Sequence, residues 1–251
     1  MHPTVTVRGV ALGAGRPKIA VPLIARTREE LLAQAAELTA LPADLAEWRA
    51  DFYDALADEA ALTETLRQLR GALGELPLLF TIRTKPEGGE AELDPRRYAA
   101  LTLAAARSGC ADLVDVELSS PEARAILRGV HAVGLPAVGS RHDFEKTPPQ
   151  SDMIAYLRAA RAMGADIPKL AVMPRSDADV LALLAASAVW RDSGADCPFI
   201  TISMGPRGAL SRVAGGLTGS CLTFGTAGRR SAPGQLPVAE LKTALELLQN
   251  K

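Results

Sequence analysis

Eight short apolar runs recur along the chain, separated by polar loops and by Ala/Leu/Arg-rich stretches of helical period, and this alternation leaves few folds open. The runs are Lys18–Ile24, Leu45–Asp51, Leu78–Arg83, Leu113–Leu118, Ala137–His142, Ile167–Met173, Phe199–Met204 and Leu222–Thr226. Their length suits strands better than helices. The intervening stretches Arg28–Leu41, Pro95–Ser108, Pro121–Val133, Asp152–Met163, Asp177–Asp192 and Val238–Gln249 read as helices, and several open on a proline or an acid, as helix starts prefer. The segment after the seventh run is too short and Gly-rich for more than one helical turn. Ahead of the repeat, Thr4 to Val10 alternates and Gly13 to Arg16 supplies turn residues, which predicts a short N-terminal β-hairpin without chemistry. Eight strand–crossover units in 251 residues predict one α/β domain over residues 1–251, a (β/α)8 TIM barrel. An open doubly wound sheet is the alternative, weakened because no G-x-G-x-x-G follows the first strand.

A net charge of −1 offers no basic field for nucleic acid. The three cysteines, Cys110, Cys197 and Cys221, are far apart and lack C-x-x-C spacing, which suits a reducing cytosol rather than a disulfide framework. The first residues show no cationic stretch followed by an apolar run, and the longest apolar run, Leu181 to Trp190, is too short to span a bilayer. The expectation is a soluble cytoplasmic enzyme-sized domain with neither membrane nor nucleic-acid partner.

Buried parallel strands should be nearly all apolar, yet here the C-terminal ends of most of them carry charge. Glu47, Arg49 and Asp51 alternate in the second run; Thr81 and Arg83 end the third, with Glu87 in the following loop. Asp115 and Glu117 sit two apart in the fourth, Ser140 and His142 end the fifth, Lys169 lies inside the sixth, and Ser203 and Met204 end the seventh. Each charged set keeps one parity, as side chains aimed into a barrel would, and the C-terminal mouth is where barrel enzymes place their chemistry.

Lys169 shares a face with Ile167 and Ala171, in a run bracketed by Pro168 and Pro174. A buried ammonium is costly unless paired or deprotonated, and a desolvated lysine can form an imine with a carbonyl substrate. A lysine snorkelling to solvent or closing a structural ion pair is the alternative. Of the three histidines, His2 is terminal and His131 lies late in a helical stretch, whereas His142 ends a strand next to that of Lys169. A group titrating near neutrality beside an imine-forming lysine suits proton abstraction next to a carbonyl; a loop-capping histidine is the alternative. No second histidine stands at metal-ligand spacing, and Arg49, Arg83 and Lys169 would crowd a cation, so an anionic or polyhydroxylated substrate fits better. The Gly-rich loops 205–212 and 228–237 suit a phosphate site, an ordinary turn, or a mobile lid carrying Ser231 and Gln235.

Glu-Trp-Arg-Ala-Asp at 47–51, Arg-Thr-Lys-Pro-Glu-Gly-Gly at 83–89, Ser-Arg-His-Asp-Phe-Glu-Lys-Thr-Pro at 140–148, the strand around Lys169, Ser-Met-Gly-Pro-Arg-Gly-Ala-Leu-Ser-Arg at 203–212 and Ser-Ala-Pro-Gly-Gln at 231–235 occur in this order. With them the chain, from Pro17 to its C-terminus, resembles the type I 3-dehydroquinate dehydratases, Schiff-base lyases of the shikimate pathway. The resemblance implies a barrel, commonly a homodimer, that needs neither metal nor organic cofactor. It implies that Lys169 forms the imine with 3-dehydroquinate. His142 would remove the adjacent proton and protonate the departing hydroxyl in a syn elimination, with Glu87 orienting it. Arg212 would hold the substrate carboxylate, while Glu47, Arg49, Arg83, Ser231 and Gln235 hold hydroxyls and carboxylate and Met204 packs on the carbocycle. Asp115 and Glu117 would stand behind Lys169 and His142 and tune their proton affinities. Pro22 departs from the small hydroxyl residue such a family would place near the mouth. Another lysine-imine barrel, such as an aldolase acting on a phosphosugar, shares the fold and the lysine; a non-catalytic binding barrel would be expected to break the charged set.

Overall fold

The computed structural model describes residues 3–228 and 232–249. The hairpin is present as β1 (Val5–Val7) and β2 (Val10–Leu12), but its turn falls at Arg8 (φ 43°) and Gly9 (φ 77°), inside the alternating stretch Thr4 to Val10, and not at the expected Gly13 to Arg16. Two left-handed residues in succession are what the tightest hairpins require. Val7 and Leu12 are buried against the residues that fill the barrel interior.

Eight parallel strands follow: β3 (Lys18–Leu23), β4 (Leu45–Arg49), β5 (Leu78–Thr81), β6 (Leu113–Glu117), β7 (Ala137–Asp143), β8 (Ile167–Val172), β9 (Ile200–Ser203) and β10 (Leu222–Thr226). Neighbours pair in chain order from β3 to β9, and β10 returns to pair with β3. A parallel bridge between Phe199 and Ser220, with the Cys221 amide donating to the Phe199 carbonyl at 2.8 Å, joins β9 to β10 and completes the ring. A two-residue strand, β11 (Leu236–Pro237), extends the sheet beside the end of β10. The expected (β/α)8 barrel is the observed fold. Every expected run holds a strand, with ends shifted by one or two residues.

The helices are α1 (Arg28–Leu38), α2 (Glu59–Leu73), α3 (Pro95–Arg107), α4 (Ala123–Ala132), α5 (Gln150–Met163), α6 (Asp177–Asp192), α7 (Ala209–Val213), α8 (Gly215–Thr218) and α9 (Val238–Gln249). Helix α1 stops short of Leu41 because Pro42 has no N–H to continue the ladder; the Leu41 amide turns back to the Leu38 carbonyl instead, at 2.9 Å. Helix α2 is signalled by Asp58, whose carboxylate accepts from the amides of Ala60 and Ala61, and by the buried stripe Leu62, Leu66, Leu69 and Leu73. After β9 the chain makes two short helices rather than a single turn.

Strand parity sorts the core. Leu45, Leu79, Leu113, Val138, Ile167, Ile200 and Leu222 fill the lower barrel interior, while Trp48, Phe80, Val114 and Val116 face the helices. Two residues beyond each inner apolar position in β4 to β8 the side chain turns polar: Glu47, Thr81, Asp115, Ser140 and Lys169. The alternation that packs the floor therefore aims these groups at the mouth.

Three aspartates fasten the opposite rim. Asp44, Asp112 and Asp166 each stand just before an even-numbered strand and accept the amide of Ile19, Leu78 or Ala137 in the preceding strand, at 2.7, 2.8 and 2.8 Å. Each also meets a basic side chain: Arg16 with Asp44, His131 with Asp166, and both Arg8 and Arg70 with Asp112. Asp112→Ala is expected to strand the Leu78 amide and take the carboxylate from Arg8 and Arg70, costing about 2 kcal/mol and lowering the thermal midpoint by about 4–8 °C, measured by calorimetry.

Candidate active site

The C-terminal mouth of the barrel holds a cavity of about 520 Å³, its opening included. Glu47, Arg49, Arg83, Glu87, His142, Lys169, Met204, Arg212 and Gln235 all line it, together with Phe144, Ile202 and Phe224. Asp115 and Glu117 stand behind this lining, and Ser231 lies outside the described residues. A larger cavity, about 1220 Å³, lies at the N-terminal end, but its arginines are held by Asp44 and Asp192. No convergent set of titratable groups meets there. Among the described residues no three His, Cys, Asp or Glu side chains are placed to hold a metal ion, and no helix is long and apolar enough to cross a membrane.

Lys169 is buried in the middle of β8. Its Nζ donates to Oδ2 of Asp115 at 3.1 Å and lies 4.7 Å from the centre of the Phe224 ring. Asp115 also accepts from Nη2 of Arg83 at 2.7 Å and from the Ser140 hydroxyl at 2.6 Å. Burial alone would raise the pKa of Asp115, but Arg83, Lys169 and Ser140 outweigh it and hold the carboxyl below its usual range. Arg83 is wholly enclosed by acceptors: its Nη1 reaches Glu117 and Ser140 at 3.0 Å and Glu87 at 3.5 Å. Those three carboxylates overcome desolvation and raise its pKa further.

His142, near the end of β7, is anchored twice by Glu87. Oε2 of Glu87 lies 2.9 Å from Nδ1 and accepts the His142 amide at 3.1 Å. Burial, reinforced by Arg83, Lys169 and Arg49, holds the imidazole well below its ordinary pKa. Glu87 is pushed the other way: burial first, then the neighbouring Glu117 and Asp115, bring it up to about 7 despite Arg83 and a hydrogen bond from Ser119. With Glu87 ionised, Nδ1–H donates to it and the Nε2 lone pair is free, so the pair presents a neutral base.

Around these two groups sit the remaining polar side chains. Arg49 is gripped by Asp51 through two bonds of 2.8 and 2.7 Å, and Glu47 accepts from Thr81 at 3.0 Å. Arg212, on α7, is buried; it donates to the carbonyls of Phe224 at 3.3 Å and Pro233 at 2.9 Å, and its Nε has no partner among the described residues. Burial lowers its pKa to about 10. Gly208, ahead of α7, is fixed by close approach, because a Cβ there would lie 2.1 Å from the Ser203 carbonyl. That contact makes the glycine a packing requirement rather than a phosphate cradle. Ser203 points away from the cavity, on the parity opposite to Met204. Pro22 is buried in β3, in register with Glu47.

A family model described as type I 3-dehydroquinase matches residues 19–251. The chain is 47% identical over 250 residues to the 3-dehydroquinate dehydratase of Klebsiella pneumoniae, covering 99% of this chain and all of that one. It is 45% identical to the Bacillus licheniformis enzyme of the same name, covering 99% of this chain and 98% of the relative. The chain belongs to the type I 3-dehydroquinase family. The crystal structure of a type I 3-dehydroquinate dehydratase from Clostridium difficile with covalent modified comenic acid superposes with a TM-score of 0.95 at 38% identity, over 99% of this chain and 98% of that one. The 3-dehydroquinate dehydratase from Geobacillus kaustophilus superposes equally well at 39% identity, with the same coverage.

Sequence reasoning passed over Phe224 and Ser119. Phe224 lies on the inward parity of β10, two residues after Leu222, so the alternation carried its signal; Ser119 stands in the turn after β6, and neither is charged, which hid them. The raised Glu87 pKa has a measurable consequence. Its folded value, about 7, exceeds the free carboxyl value of 4.5, so folding favours the protonated form. The penalty is absent below pH 4.5, builds up to pH 7 and stays constant above. Glu87→Gln is therefore expected to gain stability over the unaltered chain between pH 5 and 8, by at most about 3 kcal/mol in denaturant unfolding.

Proposed function

We propose that the chain is a hydro-lyase of the shikimate pathway that dehydrates 3-dehydroquinate to 3-dehydroshikimate through an imine on Lys169. The observation that carries this reading is the meeting of a buried amine and a neutral imidazole in one cavity, with a buried arginine whose Nε is open. Membership in the 3-dehydroquinase family supports the substrate, and the Clostridium difficile structure is one with covalent modified comenic acid.

In this reading the Lys169 amine, released from Asp115, adds to the substrate ketone and water leaves, giving an iminium that serves as electron sink. Nε2 of His142 takes the proton from the adjacent carbon, and the electron pair moves into the imine to form an enamine. The enamine expels the neighbouring hydroxyl, which leaves as water with the proton returned by His142, so one group serves both transfers on one face. Hydrolysis of the new imine frees the enone and regenerates the amine. Arg212 grips the substrate carboxylate through a guanidinium already desolvated. Glu47, Arg49, Arg83, Ser231 and Gln235 orient hydroxyls and carboxylate, and Met204 packs on the ring. The whole chain works as one barrel unit, in the cytoplasm and as a homodimer, without metal or organic cofactor. A phosphosugar aldolase fits less well, because Gly208 is spent on backbone packing.

Mixing the protein with 3-dehydroquinate should produce the absorbance of a conjugated enone, and borohydride added during turnover should attach reduced product to Lys169, read by mass spectrometry. Absence of both signals refutes the reading. His142→Ala should still trap the adduct while turning over about 10²–10⁴-fold more slowly; ordinary turnover in that variant would remove His142 from the proton transfers.

A further inference from the structure

The base in the mouth is aimed by Glu87, yet Glu87 belongs to no strand. It ends a 3₁₀ turn, Lys85–Glu87, in the loop after β5, so something must fix that turn. Thr84, the residue that opens it, gives both of its donors to one buried carboxylate. Its amide donates to Oε1 of Glu117 at 2.8 Å and its hydroxyl to Oε2 at 2.6 Å. The Thr84 carbonyl accepts the Glu87 amide at 3.0 Å and the Gly89 amide at 2.9 Å, and Thr84 bridges Ala91 across the loop. Glu117 is itself immobilised from two further sides. Its amide donates to the Tyr98 hydroxyl at 2.9 Å, and Oε1 also accepts from Arg83 at 3.0 Å.

We infer that Thr84 is a positioning residue, which fastens the turn bearing Glu87 to Glu117 and thereby sets the direction of the His142 imidazole. The inference rests on the reading of His142 as the base. A continuous path of hydrogen bonds runs from Glu117 through Thr84 to the Glu87 backbone and from the Glu87 carboxylate to Nδ1 of His142. The hydroxyl adds what the amide cannot. Two bonds to two oxygens fix rotation of the loop about its first residue, where one bond would leave a pivot. Lys169 and Asp115 lie outside this path, so imine formation does not depend on it.

Thr84→Val keeps the shape and the amide bond and removes only the hydroxyl. In the full-length protein, with 3-dehydroquinate, kcat is expected to fall about tenfold while KM stays within about twofold. Borohydride should trap the Lys169 adduct as fully as in the unaltered chain. Thr84→Ser, which restores the donor, should recover most of the loss. Thr84→Ala removes the same hydroxyl with less bulk and serves if the valine variant does not fold. Undiminished kcat in a folded Val or Ala variant, equal loss in the Ser and Val variants, or loss of trapping together with kcat would overturn the inference. So would failure of both Val and Ala variants to fold while Ser folds, since the hydroxyl would then be a folding element. An unaltered chain that neither dehydrates the substrate nor traps it would instead refute the dehydratase reading, and this inference with it.

Discussion

A single buried carboxylate, Asp115, allows two cations to share the barrel interior. Lys169 and Arg83 both donate to it, and Ser140 adds a third bond. Burying either cation unpaired would cost several kcal/mol, so the mouth could not hold an amine at its centre without this acid. The arrangement also sets what Lys169 can do. Its partner is a fixed anion on one side and the Phe224 ring lies on another, which directs the amine along the line that remains toward the cavity.

The same cluster sets where protons rest. Burial first, and then Arg83, Lys169 and Arg49, disfavour a positive charge on His142 and hold its pKa well below the ordinary value. Burial also disfavours the charge on Glu87, and with Glu117 and Asp115 it outweighs Arg83 and brings the carboxyl up to about 7. The ionisation of Glu87 thus decides which nitrogen of His142 carries the proton, because an ionised Glu87 accepts from Nδ1–H across 2.9 Å. Besides burial, the His142 shift draws on Arg83, Lys169 and Arg49, and the Glu87 shift on Arg83, Glu117 and Asp115.

Much of this was legible in the sequence because a barrel strand has a period of two and a buried interior. Polar residues on the inward parity of β4 to β8 could therefore be read as facing one mouth before any coordinates, and the closed ring followed from the strand count. Three kinds of feature were not legible. Helix ends depended on local hydrogen-bond supply, as at Pro42, and the β11 pairing joins residues about ten apart by a route no alternation encodes. An uncharged inward residue, Phe224, carried the parity without drawing notice. Loop contacts had no periodic signature: Thr84 follows Arg83 on the wrong parity, and only the turn brings its hydroxyl to Glu117.

Two arginines that look alike in sequence are set apart by their partners. Arg83 meets Asp115, Glu117, Glu87 and Ser140, so its charge is already balanced inside the protein. Among the described residues Arg212 meets two backbone carbonyls, and its Nε has no hydrogen-bond partner. A buried guanidinium without an anion is costly, and burial does depress its pKa, to about 10. The cost is repaid when an anionic group enters, because a desolvated arginine loses no further water on pairing with a carboxylate. An anion entering the mouth would therefore gain more beside Arg212 than beside Arg83, whose charge is already met by Glu87, Asp115 and Glu117.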